Sequence, residues 1–312
     1  MKYRFTKLII KNPKIKNGRN IYNMINMNRI IINFAPTGVL MQKEDTPFIP
    51  ISPEEIIEDV RRAYEIGITS VHLHARDRTT GKPCWKKEEF EEIILGIREF
   101  APDLIIAVTT SGRAYSEFSK RTDVLNLSGM AKPDMASLTL SSLNFNRTIS
   151  TNEPKMIQDI VAKMNEKCIK PELEIFDLGM INYAEYLTKK GMLHPPHYAN
   201  IILGNIAGAQ PTLLQSGALV VNLPKDTIFS MGAIGKFQLQ TNAISIATGH
   251  GVRIGLEDNI WYDDERTKLA SNEDYLIRIH KIMDLFGKEL CPSSELRKRL
   301  NLEKGYGKYG TK

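Results

Sequence analysis

The chain has 312 residues, 42% hydrophobic and 25% charged, which is the composition of an ordinary globular protein. Its formal net charge is +6, yet residues 1–29 hold eight Lys or Arg and no acidic residue; taking those eight from 42 leaves 34 basic against 36 acidic residues, a net of −2. A nearly neutral body gives no charge argument for nucleic acid.

Cys84, Cys168 and Cys291 form no CxxC pair, which argues against a disulfide framework or a cysteine metal cluster and makes a reducing cytoplasm the default compartment. No uninterrupted apolar run reaches the ~18 residues of a membrane span.

The basic, Asn-rich segment 1–28 contains no serine, unlike a transit peptide, and lacks the apolar core of a secretory signal. It is read as a disordered extension, or as sequence upstream of a start at Met24 or Met27. A single catalytic domain is expected over 29–312.

In chain order, the first apolar run is IIINFAP (30–36). SPEEIIEDVRRAYEIG follows, with Ser52 as N-cap, Pro53 in the first turn, Glu55 three residues after the serine and Gly67 at the close. That is a capping box with a C-terminal glycine. SVHLHAR (70–76) is the second strand and KKEEFEEIILGIREFAP the second helix. LIIAVTTS (104–111) and DMASLTL (134–140) are further strands, and NEPKMIQDIVAKMNEK (152–167) a further helix. ELEIFD (172–177) precedes the helical NYAEYLTKKG. YANIILG (198–204), TIFSMGAIG (227–235) and VRIGLED (252–258) complete the strands. NEDYLIRIHKIMDLFGKEL then forms an amphipathic helix ending near Gly287, with His280 as a surface or packing residue.

Short β-branched runs alternating with helices predict one parallel (β/α)8 TIM barrel. An open doubly wound sheet is the competitor, but no GxGxxG follows the first strand.

Side chains alternate along a strand. His72 and His74 therefore share one face, near the strand end where barrel active sites lie. A bare HxH also serves as hydrogen-bonded filler, so a third ligand matters. In GVRIGLEDN, Arg253, Gly255 and Glu257 fall on one face, and Asp258 follows at the strand end. Strand eight neighbours strand one, and strand two comes next. Glu257 can then join the two imidazoles around Zn2+. The bland reading is an ion pair between Arg253 and an acid that closes the barrel.

In VTTSGR, small hydroxyl residues and Gly112 allow close approach and offer donors to an anion. Ser137 and Thr139 share a face of the fourth strand, and Glu172 and Glu174 a face of the fifth. Buried carboxylates need partners; Arg253 is a candidate partner for Glu174.

HLHARD, VTTSGR, KPDMASLTLSSLNF, PELEIFDLGM and GHGVRIGLEDN, in this order after an early TG and PFIPISPEEI, resemble the beta-keto acid cleavage enzymes, whose best-known type is the 3-keto-5-aminohexanoate cleavage enzyme. The resemblance spans about residues 30–300. It implies a (β/α)8 barrel, Zn2+ or another divalent cation, and acetyl-CoA as co-substrate. A beta-keto acid and acetyl-CoA would give acetoacetate and a new acyl-CoA.

Carried over by position, His72, His74 and Glu257 match the metal ligands. Asp258 matches the general base, Arg253 the arginine that orients it, and Glu174 an acidic active-site residue. Thr109, Gly112 and Ser137 match substrate contacts, with Thr109 replacing serine and Ser137 replacing threonine. A homo-tetramer in the cytoplasm, with no nucleic-acid or membrane partner, is expected.

One departure stands out. The type enzyme has, two residues after the TG, a glutamate that recognises the substrate's amino group. Here Leu40 follows Thr37-Gly38-Val39, so a substrate without that amino group is expected. Lys236 is a candidate for coenzyme phosphate contact or a solvated surface lysine. A zinc-dependent TIM-barrel hydrolase is the alternative, weakened because ELEIFD and YANIILG carry no histidine. A barrel with purely structural histidines is a further rival. No role is expected for His194, His197 or His250, read as loop or helix-end residues.

Overall fold

In the computed structural model, which describes residues 28–303, eight parallel strands close into a barrel in chain order. They are β1 (Ile32–Phe34), β2 (Ser70–Leu73), β3 (Ile105–Val108), β4 (Met135–Thr139), β5 (Lys170–Ile175), β6 (His197–Leu203), β7 (Thr227–Ala233) and β8 (Gly251–Ile254). Closure is direct: β8 pairs with β1 through Arg253 and Asn33, and β5 pairs with β4 through Glu172 and Ser137. This is the expected (β/α)8 barrel. The extension expected over 1–28 lies, Asn28 apart, outside the described residues.

The helices are α1 (Pro53–Ile66), α2 (Lys87–Phe100), α3 (Phe118–Arg121), α4 (Pro154–Glu166), α5 (Leu178–Lys189), α6 (Leu213–Asn222), α7 (Gln238–Ala247), α8 (Asn272–Leu285) and α9 (Ser293–Leu300). The capping box of α1 is in place, with the Glu55 amide donating to Ser52 Oγ at 3.2 Å and the Ser52 amide donating to the Glu55 carboxylate at 3.2 Å. The third unit departs from the pattern. Its connection after β3 holds only the single turn of α3 and two short 3-10 turns. His280 packs α8 against the end of α1, its Nε2 lying 2.9 Å from the Gly67 carbonyl.

The barrel interior is layered by polarity. Ile31, Ile105, Ala107, Met135 and Tyr198 make an apolar floor, sealed by Cys291, Leu296 and Leu300 at and within α9. Above the floor, Asn33, His72, Glu172, Asn200 and Ser230 are buried and polar. Polar side chains in such a layer need partners: Asn33 and Asn200 donate to Glu172 at 2.7 and 2.8 Å, while the Asn33 side-chain oxygen is buried without a partner among the described residues. The outer faces of the strands pack Val71, Leu73, Leu173 and Ile201 against the helices.

Three expectations are corrected in detail. The run VRIGLED is a strand only to Ile254; Glu257 and Asp258 lie in the turn beyond it. SVHLHAR is interrupted at His74, where the chain leaves the β3 ladder and Ala75–Arg76 pairs with Pro83–Cys84 instead. His197 is not a loop residue but the first of β6, at the end of the barrel away from β2's histidines.

Candidate active site

The mouth of the barrel gathers His72, His74, Glu257, Asp258, Arg253 and Glu174. His72 and His74 do project from β2 to the same side, with Nε2 atoms 3.3 Å apart. Glu257 Oε1 lies 3.3 Å from His74 Nε2. One ligand atom from each of His72, His74 and Glu257 falls within 4.8 Å of the others.

Two local features bring Glu257 there. Gly255 has φ +149°, and a Cβ on it would stand 2.0 Å from the Ala35 carbonyl oxygen, so only glycine lets the chain turn against β1. Gly38 has φ +63°, and a Cβ there would meet Glu257 Cγ at 2.6 Å. The early TG is thus the space through which Glu257 reaches the site. Arg76, fully buried, clamps the surrounding loop, donating to the carbonyls of Gly38, Met41 and Gly81 at 2.8, 2.7 and 2.6 Å.

A buried network fixes the first imidazole. His72 Nδ1–H donates to Glu172 Oε2 at 2.6 Å, while Glu172 Oε1 accepts from Asn33 and Asn200 at 2.7 and 2.8 Å. With its Nδ1 proton held there, His72 turns the Nε2 lone pair toward the mouth. This carboxylate–histidine arrangement is characteristic of metal-binding imidazoles.

Arg253 joins the two acids of the turn. Its Nε donates to Asp258 Oδ2 at 2.9 Å and its Nη2 to Glu257 Oε1 at 2.7 Å. Gly232 makes room, since a Cβ there would lie 2.9 Å from Arg253 Cβ. The expected direct pairing of Arg253 with Glu174 is corrected: Glu174 acts on Arg253 only through space and accepts instead from Thr139 Oγ1 at 2.6 Å.

The electrostatics invite a cation. Burial pushes the Glu257 carboxyl up, but Arg253 and the two histidines outweigh it and hold it well below the usual range. Burial raises Asp258; Arg253 opposes this, Glu257 adds to it, and the net direction is up. Burial would lower His72, but Glu172 and Glu257 raise it. Glu172, Glu174, Glu257 and Asp258 all act on the buried Arg253 guanidinium. Glu257 Oε2 is buried with no hydrogen-bond partner among the described residues. Two converging imidazoles and an open carboxylate oxygen are the donor set for a divalent cation.

The cluster opens on a cavity of about 510 Å³. Its floor is His74, Arg253, Glu257, Asp258 and Glu174; Thr109 lines its wall and Leu40 its rim. Ser137 and Gly112 are not among its lining residues. Ser137 Oγ accepts from the Thr110 amide at 3.1 Å, and the Cα of Gly112 faces the Thr151 carbonyl, which a Cβ would approach to 2.6 Å. Ser111, one of the small hydroxyl residues of VTTSGR, lines the cavity; sequence reasoning passed over Arg113, which lines it too, and singled out Glu172 without assigning it a task. Arg76 was legible only as part of a motif.

A family model for the beta-keto acid cleavage enzymes matches residues 29–302. The 3-keto-5-aminohexanoate cleavage enzyme of Acetoanaerobium sticklandii is 33% identical over 279 residues, covering 89% of this chain and 100% of that protein. The 3-oxoadipate:acetyl-CoA acetyltransferase of Cupriavidus necator is 33% identical over 278 residues, covering 87% and 94%. Among solved structures, the apo structure of ObcA superposes with a TM-score of 0.69 at 18% identity, covering 82% of this chain and 66% of that one, a likeness of fold. With the barrel, the ordered motifs and these matches in agreement, the chain belongs to the beta-keto acid cleavage enzyme family.

Proposed function

We propose that this enzyme, an acyltransferase by its family, joins a beta-keto acid to acetyl-CoA and releases acetoacetate and a new acyl-CoA. The C2–C3 bond of the keto acid breaks, C2 gains the acetyl group, and the coenzyme thiol passes to the remaining acyl group. The observation that carries this reading is the convergence of His72, His74 and Glu257 beside Asp258 in one cavity.

His72, His74 and Glu257 would hold Zn2+ or another divalent cation. Bound there, the cation would polarise the keto oxygen and stabilise negative charge during C–C cleavage. Asp258 takes the C2 proton, as a general base held by Arg253 Nε at 2.9 Å. Arg253 keeps that carboxylate turned toward the cavity and Glu257 turned toward the histidines. Glu174, locked by Thr139, borders the same cavity and fixes the polar side of the substrate. Thr109 contributes a hydroxyl at the cavity wall. Gly112 lets the β3 loop pass close to Thr151, and Ser137 holds that loop through Thr110.

The acyl chain is neutral and apolar. Leu40 and Met41 line the cavity mouth, where their side chains offer an ammonium no counter-ion. An adjoining crevice of only about 30 Å³ shares His74 and Thr109 and is walled by Val39, Ala75, Trp85 and Phe90. The side chains of Leu40 and Met41 favour a hydrocarbon tail at the mouth of the larger cavity.

A panel of 3-oxo acids incubated with the zinc-loaded protein tests this. Acetoacetate forms only when acetyl-CoA is present, and straight-chain 3-oxo acids outrun 3-oxo-5-aminohexanoate. Turnover of a substrate without acetyl-CoA would instead favour a zinc hydrolase and remove the reading.

A further inference from the structure

We propose that Arg113 binds the carboxylate of the beta-keto acid, an assignment that rests on the reaction proposed above and adds its anion anchor. Arg113 follows Gly112 on the loop after β3 and lines the same cavity as His74, Thr109 and Ser111.

Its guanidinium is held in place. The carbon at its centre sits 3.9 Å from the centroid of the Phe145 ring, and Nε donates to Thr148 Oγ1 at 3.0 Å. Its backbone amide donates to Ser111 Oγ at 3.2 Å. The two terminal nitrogens have no hydrogen-bond partner and no ion-pair partner among the described residues. Glu257 and Asp258 act on the guanidinium through space only, while partial burial lowers its pKa. A part-buried arginine without a counter-ion, stacked on an aromatic face and tethered at one nitrogen, presents two N–H groups in a fixed fork. That fork matches a carboxylate in the bidentate geometry.

Position selects the small substrate over the coenzyme. Besides Arg253, which is paired with Glu257 and Asp258, the cavity-lining cations Lys236 and Arg266 stand on the loops after β7 and β8. In the closed strand order, β3 lies opposite β7. Phosphates of the coenzyme have a basic rim there, on the far side from Arg113. A beta-keto acid carries its carboxylate only two bonds from the keto carbon, so its anchor must share the inner cavity with the histidine pair. Ser137, expected as a substrate contact, does not line this cavity, and its hydroxyl accepts from the Thr110 amide at 3.1 Å.

Acetoacetate is released whatever the acyl chain, which makes it the probe of choice, with acetoacetamide as its neutral counterpart. Calorimetry on the zinc-loaded full chain compares both ligands in the wild type, Arg113→Gln and Arg113→Lys, beside the KM for acetyl-CoA. Acetoacetate weakens about 10- to 100-fold in Arg113→Gln, the loss of a charge-assisted fork. Arg113→Lys recovers part of it. Acetoacetamide binding and the KM for acetyl-CoA stay as in the wild type, which also shows that the variants fold.

Unchanged acetoacetate binding in Arg113→Gln overturns the assignment while leaving the reaction intact. A rise in the KM for acetyl-CoA alone would move Arg113 to a coenzyme phosphate. A loss seen with 3-oxoadipate but not with acetoacetate would move it to a distal carboxylate. Both results contradict the proposal. A wild type that neither binds acetoacetate nor consumes acetyl-CoA brings down this inference together with the reaction on which it stands.

Discussion

Glu172 satisfies three donors only as a carboxylate. One oxygen takes the His72 Nδ1–H and the other takes Asn33 and Asn200. A glutamine has one acceptor oxygen and sets its NH2 against a donor on either side. Glu172→Gln should therefore release His72 from its tautomer and orientation. Zinc affinity, measured by competition with a chelator, is expected to fall about 10- to 100-fold, the usual loss when the carboxylate behind a ligating histidine is removed. An unchanged affinity would show that Glu172 serves the barrel core alone. At this scale the sequence was partly readable. His72 and His74 share a face because strands repeat every two residues, a rule that needs no tertiary knowledge. Arg113 was not readable, because an arginine after Ser-Gly looks like a solvated loop residue until Phe145 and Thr148 come beside it from the next loop.

The elements show why boundaries resist sequence reading more than element type does. All eight strands and the capped α1 follow from β-branched runs and from Ser52, Pro53, Glu55 and Gly67. The extent of β8 does not. Glu257 and Asp258 continue the apolar run's pattern, yet the strand stops at Ile254 because Gly255 turns the chain against Ala35. That contact is between distant segments and leaves no local signature. The same holds for Arg76, whose three carbonyl acceptors lie in two separate loops. Ser137 sits on the expected strand face, but its hydroxyl is drawn to the Thr110 amide by the register of β3 and β4.

For the whole molecule, the polar layer of the barrel separates a functional mouth from a stabilising floor. His197 belongs to the latter end and gives a pH test of stability independent of the mouth. Burial, with Lys170 and His194 adding to it and Asp226 opposing, lowers its pKa from 6.5 to about 4. Between those values the unfolded chain binds the proton and the folded chain does not. Stability from this group is therefore complete above pH ~6.5 and declines as pH falls toward ~4. His197→Gln, which keeps a polar contact for Thr188, should lose less stability than the wild type between pH 7.5 and pH 5.0, read as urea midpoints. Parallel losses in the two proteins would show that His197 is not buried as the neutral form. Among the described residues no helix is long and apolar enough to cross a membrane.

Every step proposed for the mouth requires that one divalent cation be shared by β2 and by the turn after β8. Zinc titrated into the chelator-stripped protein, followed by calorimetry and elemental analysis, measures this directly. The account predicts one bound ion per chain, and its loss in His74→Ala and in Glu257→Gln under conditions where circular dichroism shows an unchanged fold. Full zinc content in those variants would contradict it.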